Sequence, residues 1–276
     1  MGKKLTICLS AAGAAAAAAG AYAFLIAPAR RDREKTAPFY GRNFAHRGLH
    51  KLDKSVPENS IPAFDAAARI GYGIELDVRL SADGRVVVFH DDDLKRICGV
   101  DARVDELSWD ELSTLKLCGT PNHIPLFSEV LAVIDGRCPI IVELKRGRRH
   151  AELCRKTYEL LRSYKGRYCV ESFDPRIVFW FRRRAPEVLR GQLSTRMSEL
   201  RGSCGGFQAF CLSRLLTNFI ARPHFVAYQV GRKPLSVRLC ELMGAMRVAW
   251  TSLEWKTEEH TDAVIFQYYR PRVKYK

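Results

Sequence analysis

The sequence predicts an α/β fold, a single closed TIM-type (β/α)₈ barrel over residues 36–276, and three observations predict it. Short apolar runs alternate with amphipathic helical patterns along the whole segment, as a parallel sheet with helical crossovers requires. About eight such strands fit a closed barrel of this length better than an open sheet. Charged residues also sit at or just past the ends of the apolar runs, the rim where such barrels carry their chemistry.

The first strand is Asn43–Ala45, and the helical pattern Asn59–Ile70 follows it with Ile61, Phe64, Ala67 and Ala68 on one face. Strand Gly73–Leu80 and strand Arg85–Phe89 are separated by a Ser81-Ala82-Asp83-Gly84 turn. Leu126–Ile134 reads as a helix before strand Ile140–Leu144, and Ala151–Tyr164 as a helix before strand Tyr168–Phe173. Helix Pro175–Arg184, strand Val188–Leu193, helix Gln208–Phe219 and strand Phe225–Val230 continue the alternation. Helix Pro234–Met243 and strands Arg247–Thr251 and Ala263–Phe266 complete it. Lys145–Arg149 and Gly202–Gly206 read as loops, and no linker or repeat divides the segment, so one domain is expected.

Five short segments hold the chemistry: His46-Arg47-Gly48, Pro57-Glu58-Asn59-Ser60, Glu75-Leu76-Asp77, His90-Asp91 and Glu143-Leu144-Lys145. Glu75 and Asp77 are two apart on a strand and share a face. Neighbouring inward carboxylates repel unless a cation lies between them, and Glu143 from another strand adds a third oxygen. An all-oxygen set favours a hard ion, Mg²⁺ or Ca²⁺, over zinc. The bland alternative pairs Glu75 and Asp77 with Arg79 or Lys145. His46 and His90 form the natural acid–base pair, because imidazole exchanges protons near neutral pH. Arg47 and Lys145 would neutralise phosphate oxygens, and Gly48 permits a sharp turn or close approach. Asn59 either caps the following helix or touches the site. Trp250 would form an apolar wall against a glycerol or choline group, and Glu171 would add a ligand or orient a proton donor. His50, His123, His150, His224 and His260 lack comparable neighbours.

The net charge of +15 favours anionic partners such as phosphate esters and acidic lipids. Without a zinc-ligand run or an aromatic-plus-basic signature, nucleic acid is not expected as a partner. No Cys-x-x-Cys pair occurs among the nine cysteines, so they read as reduced small hydrophobes rather than zinc ligands. From Leu5 to Ala29 no residue is charged. A helix of that length would measure roughly 37 Å, enough for a hydrocarbon core of about 30 Å. Residues 1–35 are therefore expected to be a membrane anchor or an uncleaved signal, with Ala27-Pro28-Ala29 an imperfect cleavage site. The basic downstream flank (Arg30, Arg31, Arg33, Lys35) predicts a single-pass membrane protein with its catalytic domain in the cytoplasm.

These motifs, with Val88-Phe89-His90-Asp91, Ile124-Pro125-Leu126, Glu171-Ser172-Phe173-Asp174 and Val248-Ala249-Trp250-Thr251, resemble the glycerophosphodiester phosphodiesterase family over nearly all of residues 43–270, in order. The resemblance implies a TIM barrel of the phospholipase-C-like phosphodiesterase type. It implies a divalent cation on Glu75, Asp77 and Glu143, with His46 and His90 as general base and acid. It further implies hydrolysis of glycerophosphodiesters to glycerol 3-phosphate and an alcohol through a cyclic phosphate. The last strand departs from the family pattern. It is followed by Gln267-Tyr268 where many members keep an Asp and a proline, and only Lys256–Thr261 precedes it in place of a long helix. Irregular closure is expected there, with the metal and histidine positions untouched. Two other readings compete: a membrane-anchored lysophospholipase D acting on lysolipid, and a catalytically silent protein whose basic surface grips anionic lipids. No obligate protein partner is evident.

Overall fold

The computed structural model describes residues 2–276, with the side chains of residues 2–12 outside the description. Eight parallel strands close into a barrel: β1 (Arg42–Ala45), β2 (Gly73–Leu80), β4 (Ile140–Leu144), β5 (Tyr168–Ser172), β6 (Arg190–Ser194), β7 (Phe225–Gln229), β8 (Met246–Ser252) and β9 (Ala263–Phe266). β1 closes the ring by pairing with both β2 and β9. The remaining strand, β3 (Val86–Val88), pairs antiparallel with the far end of β2 and stands outside the barrel. Chain alternation therefore misplaces this strand. A tight turn sends β3 back along β2, and no helix intervenes to carry it forward.

Inward residues follow the two-residue strand period. Phe44, Ile141, Cys169, Leu193, Phe225, Ala227, Val248 and Ile265 form one packed interior cluster. Two glycines make room for its rings. A Cβ at Gly73 would meet Phe44 at 2.3 Å, and one at Gly191 would meet Phe225 at 2.0 Å. Each buried phenylalanine contributes about 2–3 kcal/mol of transfer free energy, so the floor beneath the site is a rigid apolar plug. A second cluster packs the outer strand faces against helices Ile61–Ile70, Phe127–Ile134, His150–Ser163 and Pro175–Arg184. Asp174 caps the last of these through the Arg176 N–H at 2.9 Å, with Pro175 at its first position. Residues 91–126 fold over β3 around their own apolar cluster of Leu94, Ile97, Val104, Leu112, Leu117 and Ile124.

The helix expected over Gln208–Phe219 divides into Gly206–Ser213 and Asn218–Ala221. Leu215 turns into the left-handed region between them and buries completely. Closure is irregular where expected. The β8–β9 register shifts between Ala249 and Ser252, and a short 3₁₀ turn, Trp255–His260, replaces a helix.

The N-terminal helix runs Gly2–Ile26. Among the described residues no helix is long and apolar enough to cross a membrane. The anchor expected over residues 1–35 has no support there, and the upstream part of its apolar run lies outside the described side chains. The downstream end of that run packs on protein. Ile26 is fully buried, Asn218 Nδ2 donates to its carbonyl at 3.1 Å, and Arg222 donates to the Phe24 and Ala27 carbonyls, each at 3.0 Å. The eight described cysteines are free.

Candidate active site

Strand register assembles the site. Asp77 on β2 pairs with Glu143 on β4, which pairs with Glu171 on β5, so three carboxylates occupy one row across three neighbouring strands. Glu75 lies one inward position earlier on β2. All four are largely or wholly buried. Glu75, Asp77 and Glu143 each offer an oxygen, and these oxygens lie within 4.8 Å of one another.

Two cations meet this cluster. Lys145 Nζ sits 2.8 Å from both Asp77 Oδ1 and Glu143 Oε1, and Arg47 Nε lies 3.5 Å from Asp77 Oδ2. The bland pairing of Asp77 with Lys145 therefore occurs, but it leaves negative charge over. Burial, then the neighbouring Asp77 and Glu143 charges, push the Glu75 carboxyl well above its ordinary range. Burial and the charges on Glu75 and Glu143 raise Glu171 likewise, and its Oε2 has no hydrogen-bond donor. Asp77 moves the other way: burial opposes its ionisation, but Lys145, His90 and Arg47 hold it well below the carboxylate range. Four buried carboxylates against two cations fit a divalent ion, and all-oxygen donors fit a hard one.

The loop after β1 folds tightly over these acids. Arg47 (φ 54°) and Gly48 (φ 79°) are both left-handed, and the Arg47 N–H donates to Glu75 Oε2 at 3.0 Å. A Cβ on Gly48 would come within 2.9 Å of Ala63, so the close approach needs glycine. Arg47 also bonds Glu58 at 2.7 Å, and Arg96 joins Glu58 to Asp91. Glu58 thus belongs to the wall of the site. Desolvation opposes its ionisation, yet Arg96 and Arg47 hold its carboxyl down to about 2. The helix Ile61–Ile70 is capped by Ser60, whose Oγ accepts from the Ala63 N–H. Asn59 is released from capping. Its φ is 54°, and its Nδ2 donates to Asp77 Oδ2 at 2.8 Å.

The two imidazoles have different partners. His46 Nδ1 lies 2.7 Å from Gln267 Oε1, with Nε2 3.9 Å from Glu75 Oε2. Burial, reinforced by Arg47, pushes His46 down to about 3, so its ring is neutral. His90 Nδ1 lies 2.6 Å from Asp91 Oδ1. His90 reaches the rim because β3 runs back down β2, with the Phe89 N–H donating to the Asp77 carbonyl at 3.0 Å. His90 follows a strand, as expected, but that strand is the antiparallel β3 outside the barrel and not one of the parallel barrel strands. Arg79 grips the His90 carbonyl at 2.7 Å through Nη2 and does not contact the acids on its own strand. Trp250 stands edge-on to Phe173 with ring centroids 5.7 Å apart, and its indole N–H donates to the Ser194 carbonyl at 3.2 Å.

His46, His90, Glu75, Asp77, Glu143, Arg47, Lys145, Asn59 and Glu171 thus converge, with Trp250 on the opposite wall. Glu58 and Asp91 lie in segments that the sequence singles out without giving either an individual role, and the sequence gives Gln267 and Arg96 none. The inward parity of Ala263 and Ile265 would have placed Gln267 inside the barrel. Nothing local marks Arg96.

A sequence profile described as the glycerophosphoryl diester phosphodiesterase family matches residues 46–263. A lysophospholipase D of Rattus norvegicus is 33% identical over 151 residues, covering 50% of this chain and 46% of that protein. A glycerophosphodiester phosphodiesterase of Bacillus altitudinis is 34% identical over 113 residues, covering 37% and 43%. The chain spans about half the length of these curated relatives. A glycerophosphodiester phosphodiesterase structure from Thermotoga maritima is 27% identical with TM-score 0.60, covering 81% of this chain and 93% of that one. An Oleispira antarctica phosphodiesterase solved with sn-glycerol-3-phosphate shares the fold at TM-score 0.67 and 22% identity, covering 82% and 93%.

Proposed function

This chain belongs to the glycerophosphoryl diester phosphodiesterase family, and from that premise we propose that it hydrolyses glycerophosphodiesters to glycerol 3-phosphate and an alcohol. The observation that carries the reading is the placement of two differently partnered imidazoles beside one buried carboxylate cluster.

Glu75, Asp77 and Glu143 would hold a divalent ion, Mg²⁺ or Ca²⁺, which when bound supplies a positive charge against the phosphate oxygens. The donor set fits, because four carboxylates outnumber the cations facing them. Lys145 and Arg47 add fixed positive charge where phosphoryl transfer accumulates negative charge. Neutral His46, with its proton on the Nδ1 that faces Gln267, presents a bare Nε2 to the site and suits the base that takes the attacking hydroxyl's proton. His90, its Nδ1 held by the Asp91 carboxylate, turns Nε2 free to serve as the acid that protonates the leaving alcohol. Each proton transfer would contribute roughly 10²–10⁴ in rate. The Phe173–Trp250 corner offers an apolar surface for the glycerol carbons.

The test uses the purified full chain with glycerophosphocholine, with and without Mg²⁺ or Ca²⁺, beside His46→Ala and Glu75→Ala. Ion-dependent glycerol 3-phosphate release by wild type alone is the expected result. Equal release by all three would defeat the mechanism, and no release by any would favour the silent lipid-binding alternative.

A lysolipid substrate is supported by one further observation. Exposed apolar side chains lie in the segments that follow barrel strands: Leu52, Leu253 and Tyr268 on loops, Phe207 at the start of helix Gly206–Ser213 and Trp255 at the start of the 3₁₀ turn are each at least half exposed. Such exposure suits an interface with lipid. Membrane attachment through the N-terminal segment, with the barrel on the cytoplasmic side, belongs to the same proposal. It rests on the uncharged Leu5–Ala29 run and its basic flank. Turnover of lysolipid in vesicles and fractionation of the full chain test the two parts.

A further inference from the structure

A cavity of about 870 Å³ opens beside the site, over the ends of β2 and β4 and away from the Trp250 wall. It shares Arg79, Asp92, Lys145 and Arg146 with the mouth of about 470 Å³ that contains His90 and Glu143, so the two spaces adjoin. Its lining includes Arg79, Arg103, Arg146, Arg148, Arg149 and Arg176 against only Asp92, Asp105 and Glu106. Four of these guanidinium groups are committed: Arg79 to Asp92, Arg103 to Asp105, Arg149 to Glu152 and Arg176 to Asp174. Among the described residues Arg146 and Arg148 have no carboxylate partner. Arg146 gives one N–H to the Ser203 carbonyl and keeps the rest of its fork. Both lie on the loop after β4, the strand that supplies Glu143.

A charged run is usually a solvated surface. Here it lines a concave space, where a wall of one sign focuses the field on whatever enters. With the glycerol of the substrate against Phe173 and Trp250, the other arm of the diester would extend past His90 toward the shared Arg79, Asp92, Lys145 and Arg146 and this cavity.

We propose that the cavity is a subsite for a leaving alcohol that carries its own phosphate, so that polyanionic head groups are the preferred substrates. The inference rests on the diesterase reading above. Arg146 and Arg148 are the forks left to hold that second phosphate, since guanidinium matches phosphate geometry bidentately.

The experiment compares kcat/KM for glycerophosphoinositol and its ring-phosphorylated counterpart, using the full chain with Mg²⁺ and the R146A/R148A double variant. Wild type is expected to favour the phosphorylated compound by about tenfold at low salt, as loss of charge-assisted hydrogen bonds would predict. The double variant should lose about that factor selectively on the phosphorylated compound. Equal kcat/KM in wild type, or a preference that survives in the double variant, overturns the inference while leaving diester hydrolysis intact. Presenting the same pair as lysolipids in micelles distinguishes a lipid head group from a free ester, and a preference in either form supports the subsite. Turnover of neither compound sinks the parent reading. Calorimetric titration with inositol monophosphate then decides separately: binding lost in the double variant upholds an anion subsite, and no binding to wild type removes it.

Discussion

His46 and Gln267 meet across the seam where the barrel closes, His46 Nδ1 lying 2.7 Å from Gln267 Oε1. β1 and β9 pair with Ala45 opposite Phe266, so the residue after each strand faces the other over the site. The departure at Gln267 thus sets the partner of His46. A neutral amide, not a carboxylate, orients this imidazole.

Replacing that amide with an acid should retune the base. A carboxylate beside His46 favours the imidazolium, so Gln267→Glu should raise its pKa and move the acidic limb of kcat/KM to higher pH. Gln267→Ala should lower kcat by about 10–100-fold, as loss of an orienting partner does, without that displacement. An unmoved pH–rate profile in Gln267→Glu would refute the assignment of His46 as base.

His90 and Asp91 make the complementary prediction. An acid that protonates the leaving oxygen matters little when the leaving group is already stable as an anion. Asp91→Asn and His90→Ala should each cost about 10²–10⁴ on a choline ester and far less on a nitrophenyl ester. Equal losses on both substrates would remove His90 from the acid role.

Glu171 is a buried carboxylate with one oxygen lacking a donor, pushed well above its usual range. A folded-state pKa raised above the unfolded value means that stability falls as pH climbs past the unfolded pKa. Glu171→Gln removes that penalty, so the metal-free protein should gain about 3 °C in Tm at neutral pH and nothing at pH about 4. Differential scanning calorimetry at the two pH values decides it. Added Mg²⁺ or Ca²⁺ should raise the Tm of wild type and leave Glu75→Gln unmoved.

At the opposite end of the barrel Asp262 accepts from Arg247 through its backbone N–H, Nε and Nη2, at 3.0, 3.0 and 2.8 Å. Desolvation opposes ionisation there, but those bonds hold the carboxyl down to about 2 from an ordinary 3.8. A depressed folded-state pKa contributes stability above the unfolded value, lost as pH falls from about 4 to about 2. Asp262→Asn should cost about 1 kcal/mol at pH 7, allowing for the partly exposed Arg247, and almost nothing near pH 2. Urea denaturation at both pH values checks it.

The sequence by itself determined what is local. Short, nearly continuous apolar runs marked β4 and β9 at the bounds the structure shows, and the two-residue strand period placed Glu75 and Asp77 on one face. Proline after a capping aspartate fixed the start of helix Pro175–Arg184. Tertiary structure alone decided how far apart in sequence the meeting groups could be. Register between strands put Asp77, Glu143 and Glu171 in one row, the returning hairpin lowered His90 to their level, and closure brought Gln267 to His46. It also turned Asn59 from helix cap to Asp77 partner and joined Arg96 to Glu58 and Asp91. Those contacts follow from barrel closure and inter-strand register, which no short window of residues encodes.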